Sequence, residues 1–445
     1  MIQSCRIIAR FFLVLGVCVA TVSCAGSGEP ATDASSPPYD AGRVEEDAIE
    51  RYAAGVEWLA DDARDGRGLG TEGLADAGAW IADRFEEIGL HPGGTDGYRH
   101  PFPTTAPDPA NPHAEGTPVE AFNVVGRLEG AAPDPLPGVV VVGAHYDHLG
   151  RGDPGSLEPG SNAVHNGADD NASGTMALIE AARSLMSHRD RLRRDVVFVA
   201  FSAEERGLIG SSMFVHAPPD GLRMSDVVAM LNMDMVGRLG EDPLQVLGGG
   251  SAEEWPDIVG PACERRALEC IVSGDGFGSS DHSSFFAADV PVLHFFTGAH
   301  SEYHRPTDDA NLVDAGGAVR IVQLIVAVTE ELTRREAPLS LVRSSEPPAR
   351  QMLTGGARLG TIPDYAGPPD GRPGLLLSAV RNDGPAERAG LRRGDLIVGI
   401  DDREIEDIDD FMAVLSEATP GERATVRVER DGELMEFEVT YGGQG

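Results

Sequence analysis

Six apolar runs rich in β-branched residues punctuate the middle of this chain: Phe122–Leu128, Val139–Ala144, Val196–Phe201, Val227–Met233, Leu244–Leu247 and Val290–Phe296. They are continuous rather than alternating, which suits strands covered on both faces. Helical patterns separate them. Glu72–Ile88 places Leu74, Ala77, Trp80, Ile81, Phe85 and Ile88 on one face, and Thr175–Met186 and Val313–Thr333 read as further helices. From about residue 46 to 335 strands and helices alternate, which predicts an α/β domain. Residues 46–90 hold two helices, and 91–118 read as a long loop rich in Pro, Gly and His.

Acidic and histidine clusters close these runs. His145-Tyr146-Asp147-His148 follows one strand, Glu204-Glu205 ends another, and Asp234 ends a third. Asp169-Asp170 stands just before a helix, and Tyr303-His304 lies in the loop after the last run. Ligands of open α/β sheets bind outside the carboxyl ends of the strands, so residues this distant in sequence can converge. Imidazole and carboxylate groups with no available thiolate suit zinc. Asp170 has two oxygens and can bridge two ions, with His145, Glu205, Asp234 and His304 supplying further ligands. Neighbours in extended backbone point oppositely. A turn is therefore needed for Glu205 to reach a metal while Glu204 faces a substrate. Asp147, two residues after His145, can orient that imidazole. His148, His165, His282, His294 and His300 read as packing or supporting residues.

The stretches GAHYDH, GADDNASG, FSAEERG, LNMD and YHRPTDD, in this order and spacing, resemble the co-catalytic di-zinc aminopeptidase family, clan MH. The resemblance covers about 46–335. It implies a three-layer α/β/α domain with a mixed, mostly parallel central sheet. It also implies two Zn(2+) ions, one on His145 and Asp234, the other on Glu205 and His304, with Asp170 between them. Glu204 would be the general base, Asp147 would support a ligand, and Tyr303 would polarise the tetrahedral intermediate. The substrates would be peptides with a free amino end. Ser280-Asp281-His282 also looks familial. A carboxypeptidase of the same fold is the nearest alternative, with Arg206, Arg238 and Arg305 as the possible recognition residues. A catalytically dead scaffold presenting the carboxyl-terminal domain is another; it would lack a ligand or the base, and neither is missing.

That carboxyl-terminal unit spans about 353–441, after a linker at 336–352. GPAERAGL followed by Arg392-Arg393-Gly394-Asp395 resembles a PDZ domain of the bacterial periplasmic type. The resemblance implies that Leu359, Gly360, Thr361 and Ile362 receive a peptide carboxylate. The peptide would add as a strand beside Leu375–Val380, against a helix near Ile408–Leu415.

Residues 1–23 read as an export signal. Arg6 and Arg10 precede an apolar run of 12 residues, Phe11–Val22, whereas a bilayer span needs ~20. Val22-Ser23-Cys24 resembles a lipoprotein cleavage site, with Cys24 as the lipidated residue and 24–45 as a tether. This implies a lipid-anchored protein of the cell envelope, on the periplasmic face of the outer membrane. Cys263 and Cys270 are the remaining two of five cysteines. Seven helical residues separate Cα atoms by ~10 Å, too far for a bridge unless the helix ends between them.

Charge excludes other functions. Lys+Arg is 36 against 72 Asp+Glu, a net charge of −36, and every one of the cations is arginine. Lysine-based Schiff-base chemistry and a phosphate-loop lysine are ruled out. A nucleic-acid binder would show a basic face.

Overall fold

The computed structural model describes residues 41–106, 116–152, 155, 156, 158, 162–240, 242–298 and 300–343. In the carboxyl-terminal part it describes 357, 359–363, 368, 372–380, 384–406, 410, 411, 414, 415, 418–430 and 432–442. Cys24, most of the tether and the region 344–356 lie outside them. No helix among the described residues is long and apolar enough to cross a membrane.

Helices α1 (Ala41–Leu59) and α2 (Glu72–Ile88) come first. Thr71 caps α2 by accepting from the Leu74 N–H, and Gly89, at φ 90°, ends it. Strands β1 (His91–Pro92), β2 (Arg99–Ala106), β3 (Thr117–Leu128) and β4 (Val139–His145) follow. Then come α3 (Gly174–Ser187), β5 (Asp195–Phe201), α4 (Ile209–His216), β6 (Val227–Met233), β7 (Leu244–Leu247), α5 (Trp255–Glu264), β8 (Cys270–Ser273), α6 (His282–Ala287), β9 (Val292–Phe296) and α7 (Ala315–Arg334). The strands form one mixed sheet in the order β1-β3-β5-β4-β6-β9-β7-β8, with β2 beside β3. Its centre, β5-β4-β6-β9, is parallel.

Alternate residues of the central strands serve two cores. Val140 and Val142 of β4, with Val196, Phe198 and Ala200 of β5, join a cluster containing Tyr52, Phe85, Leu178, Trp255 and Leu324 from α1, α2, α3, α5 and α7. Val139, Val141, Val197, Val199 and Phe201 point the other way, onto Phe214 of α4 and Phe285 and Phe286 of α6. Both faces are thus covered, which is why these strands carry no polar alternation.

The expectation of a loop over 91–118 is corrected. Arg99–Ala106 is a strand, paired antiparallel with β3 from Arg99↔Val124 to Ala106↔Thr117. Pro101 and Pro103 concealed it. Both are exposed, as is usual for proline in an edge strand, while Phe102 and Ala106 turn inward. Cys263 and Cys270 are also joined, with Cα atoms 6.3 Å apart. The helix ends at Glu264 and Cys270 opens β8, so the helical separation does not apply.

The carboxyl-terminal part forms a second, antiparallel sheet and belongs to the same compact unit, Arg43–Gly445. Its elements are β10 (Thr361–Pro363), β11 (Leu375–Val380), α8 (Pro385–Ala389), β12 (Leu396–Ile400), β13 (Arg403–Glu404), β14 (Arg423–Arg430) and β15 (Glu433–Thr440). The order is β10-β11-β12-β14-β15, with a separate core that includes Leu359, Leu377, Ile397 and Val426. β12 pairs with Leu375 and Leu376 of β11, and β10 pairs with Leu377, Ala379 and Val380, so the expected peptide position beside β11 is partly taken by the domain's own strands. The edge on that side is β10 itself. The expected helix near Ile408–Leu415 lies partly outside the described residues.

Candidate metal centre

β4, β5 and β6 are parallel neighbours, so their carboxyl ends bring His145, Glu204-Glu205 and Asp234 to one edge. The loop before α3 adds Asp170, and the loop after β9 adds His304. Two groups of candidate metal-binding side chains result: His145, Glu204 and Asp234, and His148, Asp170 and Glu205. Asp170 connects the two sides. Its Oδ1 lies 3.3 Å from His145 Nε2 and its Oδ2 lies 3.2 Å from His304 Nε2. Asp234 Oδ1 is 3.3 Å from His145 Nε2, and Glu205 Oε2 is 3.1 Å from His304 Nε2. His145, Asp170 and Glu204 are all buried.

Local backbone explains how each residue arrives. Ala203, just after β5, has φ 58°. This breaks the extended path and lets Glu204 and Glu205 point differently. The carboxylate of Asp147 holds that turn: Oδ1 accepts from the Glu204 N–H at 3.1 Å and Oδ2 from the Glu205 N–H at 3.3 Å. The orientation of His145, expected from the Asp147 carboxylate, comes instead from the main-chain oxygen of Asp147, 3.2 Å from Nδ1. The carboxylate itself is 3.8 Å away. His304 has φ 54°, and its Nδ1 donates to Gly155 O at 2.9 Å, aiming Nε2 at the carboxylates. The ring of Tyr303 stacks on that of His304 at 3.8 Å between centroids.

Further residues support the site, and the roles of Asn171, Asp308 and Arg67 escaped the sequence reading. His148, read as a packing or supporting residue, supports: its Nδ1 contacts Glu205 Oε1 at 2.7 Å. Asn171 joins two site loops: Nδ2 donates to Met233 O, and Oδ1 accepts from the Gly174 and Met235 N–H groups. Asp308 is fully buried and clamps the Asp170 loop, its Oδ2 accepting from the Asp169 and Asp170 N–H groups. Arg238 in turn holds Asp308 Oδ1 at 3.0 Å. Arg67, also fully buried, donates only to main-chain oxygens of the neighbouring loops. His148, Asn171 and Asp308 stand inside the motif stretches, but their roles, like those of Arg67 and Arg238 outside them, are set by neighbours in space. Asn232, two residues before Asp234, donates to Ser280 Oγ at 2.8 Å, which sets the Ser280-Asp281-His282 stretch beside the site.

Electrostatics sorts the acids. Burial pushes Glu204 well above the usual carboxylate range; His145 opposes this, while Asp234, Glu205 and Asp281 add to it. Burial and Asp170 push Glu205 up as well, but His304 and His148 outweigh them and bring it to about 2. Asp170 is buried too, yet His145, His148 and His304 hold it well below its ordinary value. Burial disfavours charge on His304, but Glu205 and Asp170 raise it to about 11. Burial and the carboxylates of Asp170, Glu205, Glu204 and Asp234 keep the Tyr303 phenol protonated. Buried carboxylates and imidazoles in mutual contact form a donor set of the kind that holds a cation. Oxygen and imidazole donors without thiolate fit zinc.

In the PDZ-like part, Leu359 is buried, Gly360 has φ 73°, and Thr361 opens β10 with Ile362.

Residues 123–329 match the sequence profile of peptidase family M28, and residues 356–441 match that of the PDZ domain. Aminopeptidase YwaD of Bacillus subtilis is 31% identical over 211 residues, covering 45% of this chain and 42% of that protein. A probable leucine aminopeptidase of Arthroderma otae is 26% identical over 236 residues, 47% of this chain and 63% of its own length. This chain therefore matches less than two thirds of either relative. Among solved structures, the aminopeptidase from Aneurinibacillus sp. strain AM-1 superposes with a TM-score of 0.51 at 16% identity, over 67% of this chain and 97% of that one. The glutaminyl cyclase of Porphyromonas gingivalis reaches 0.50 at 18% identity, over 64% and 98%. These two likenesses show the fold alone. The profile matches mark a segment similar to peptidase family M28 at residues 123–329, followed by a segment similar to a PDZ domain at 356–441.

Proposed function

We propose that this protein is an exported di-zinc aminopeptidase, removing amino-terminal residues from peptides. The observation that carries the reading is Asp170, whose two oxygens face His145 on one side and His304 on the other. His145 and Asp234 would hold one zinc, Glu205 and His304 the other, and Asp170 both. Bound zinc supplies Lewis acidity and a water acidified toward neutral pH. Glu204 takes the proton of the attacking water and delivers it to the leaving amine. Its raised affinity for protons suits that exchange. Tyr303, protonated, donates toward the oxygen that gains charge. Asp147 keeps the Glu204-Glu205 turn in register. Relatives named as aminopeptidases support the amino-end preference. So do two of the three arginines considered for a substrate carboxylate: Arg238 pairs with Asp308 and Arg305 with Glu158.

The PDZ domain is proposed to bind peptide ends through Leu359, Gly360, Thr361 and Ile362 or to regulate access. Arg393 Nη1 donates to Ala287 O of α6 at 2.7 Å, which links it to a helix beside the site. Export and lipid attachment at Cys24 are proposed from the sequence; labelled palmitate should enter the wild type and not Cys24→Ala.

The reading is tested with free-amine, amino-acetylated and carboxyl-blocked peptides at two equivalents of zinc. Glu204→Gln should lose about 10²–10⁴-fold in kcat while retaining zinc. Cleavage of acetylated but not carboxyl-blocked peptides would instead identify a carboxypeptidase. No turnover with zinc bound would shift the working surface to the PDZ groove.

A further inference from the structure

We propose that Arg67, which lies upstream of the matched peptidase segment, is a positioning residue for both candidate metal groups. Its side chain is 0% exposed. The guanidinium donates to four main-chain oxygens: Nε to Tyr146 at 2.8 Å, Nη1 to Leu59 at 2.8 Å and Asn166 at 2.7 Å, and Nη2 to Gly167 at 2.8 Å. None of these partners is a carboxylate.

The partners are what make the residue informative. Tyr146 directly follows His145, and Gly167 stands three residues before Asp170. One rigid, planar fork therefore spans the strand end that delivers His145 and the loop that delivers Asp170. The main chain of Arg67 adds a third tie, its oxygen accepting from the His148 N–H at 3.1 Å. The loops have no slack to absorb a change. Gly167 has φ 53°, and a Cβ there would sit 2.1 Å from Asp170 O and 2.5 Å from His148 Cδ2. A Cβ on Gly66 would sit 2.4 Å from Gly150 O.

Charge gives the fork a second effect. With only neutral carbonyls as partners, its positive charge is left to act on the acids behind the loops. Burial lowers its own proton affinity to about 10, and Asp170, Asp147, Asp308 and Glu205 work against that fall. It stays charged at neutral pH. Lysine would keep the charge but not the fork, because its three donors radiate from one nitrogen and cannot reach oxygens on three segments.

This inference rests on the metallopeptidase reading, and the test separates the two. The purified full chain is compared with Arg67→Lys, Arg67→Met and Arg194→Lys. Arg194 is a fair control, because it is also buried and donates to main-chain oxygens, those of Pro137, Leu332, Thr333 and Arg335, none in the site. Zinc affinity is measured by competition with a chromophoric chelator, and the site is inspected through the visible spectrum of the cobalt-substituted protein. Arg67→Lys should weaken zinc binding about 10–100-fold and change the cobalt spectrum. It should lower kcat more than it raises KM. Arg194→Lys should lower the melting temperature alone. Wild-type zinc affinity and an unchanged cobalt spectrum in both Arg67 variants overturn the proposal, as does failure of both to fold, which would leave only a structural role. Absence of zinc binding by the wild type overturns the metallopeptidase reading and this proposal together. Normal zinc binding without peptide cleavage overturns the peptidase reading and leaves the Arg67 arm to be decided by the spectrum.

Discussion

At the scale of single residues, each site side chain does its work because another group fixes its direction. Nδ1 of His304 is spent on Gly155, so Nε2 must face Asp170 and Glu205. The carboxylate of Asp147 is spent on two N–H groups, so it controls glutamates 57 and 58 residues away. A pH dependence follows. Near pH 7 the metal-free protein carries a proton on His304, raised to about 11 against an ordinary value near 6.5. If His304 ligates zinc as proposed, it must be neutral, and loading expels that proton. Calorimetry in buffers of different ionisation enthalpy should show proton release at pH 7. Zinc affinity should climb as pH rises, by up to about tenfold per unit for each proton expelled. The metal-free fold responds in the opposite sense. The contribution of His304 to its stability is complete below about pH 6.5 and is lost as pH rises through about 11. Glu205, lowered to about 2, contributes above about 4.5 and loses that contribution as pH falls through about 2. Melting temperatures of chelator-treated protein between pH 5 and 10 check the upper limb.

At the scale of elements, legibility followed burial. The strands covered on both faces announce themselves as apolar runs, and β6 and β7 have the boundaries expected. So does α2, because one apolar stripe, a threonine cap and a glycine stop agree. The edge strand β2 did not announce itself. Its prolines are harmless because, among the described residues, no strand pairs on their solvent side, and a linear sequence does not show which strand is at an edge. The Cys263–Cys270 bond depended likewise on where α5 stops. Closing a loop of this length stabilises by about 2 kcal/mol in the chain-entropy relation, with a sequence separation of seven. Cys263→Ala with Cys270→Ala should lose about that amount in urea titrations. kcat/KM should hold, because β8 is an outer strand that carries no site residue.

At the scale of the whole molecule, the cores are separate: those around the first sheet share no residue with the core of the PDZ domain. Zinc should therefore stabilise only one of them. Scanning calorimetry should resolve two transitions, the larger falling on chelation and returning with zinc. Saturation at about 100 times the dissociation constant is worth about 2.7 kcal/mol. The PDZ transition should stay within a degree or two. Coupled movement of both would mean that the Arg393 contact with α6 joins them into one cooperative unit.

The amino-acid sequence by itself determined the α/β alternation, the presence of a second β unit, and the residue types gathered at the strand ends. These are local properties: hydrophobic period, turn chemistry, and acids or histidines placed where apolar runs stop. Tertiary structure decided the rest. That Asp170 reaches both His145 and His304, that Asp308 and Arg67 clamp the loops, and that β10 rather than β11 is the open edge all depend on segments far apart in the chain. Sequence carries no direct record of such distances, because they arise only when the sheet orders its strands and the loops above it close.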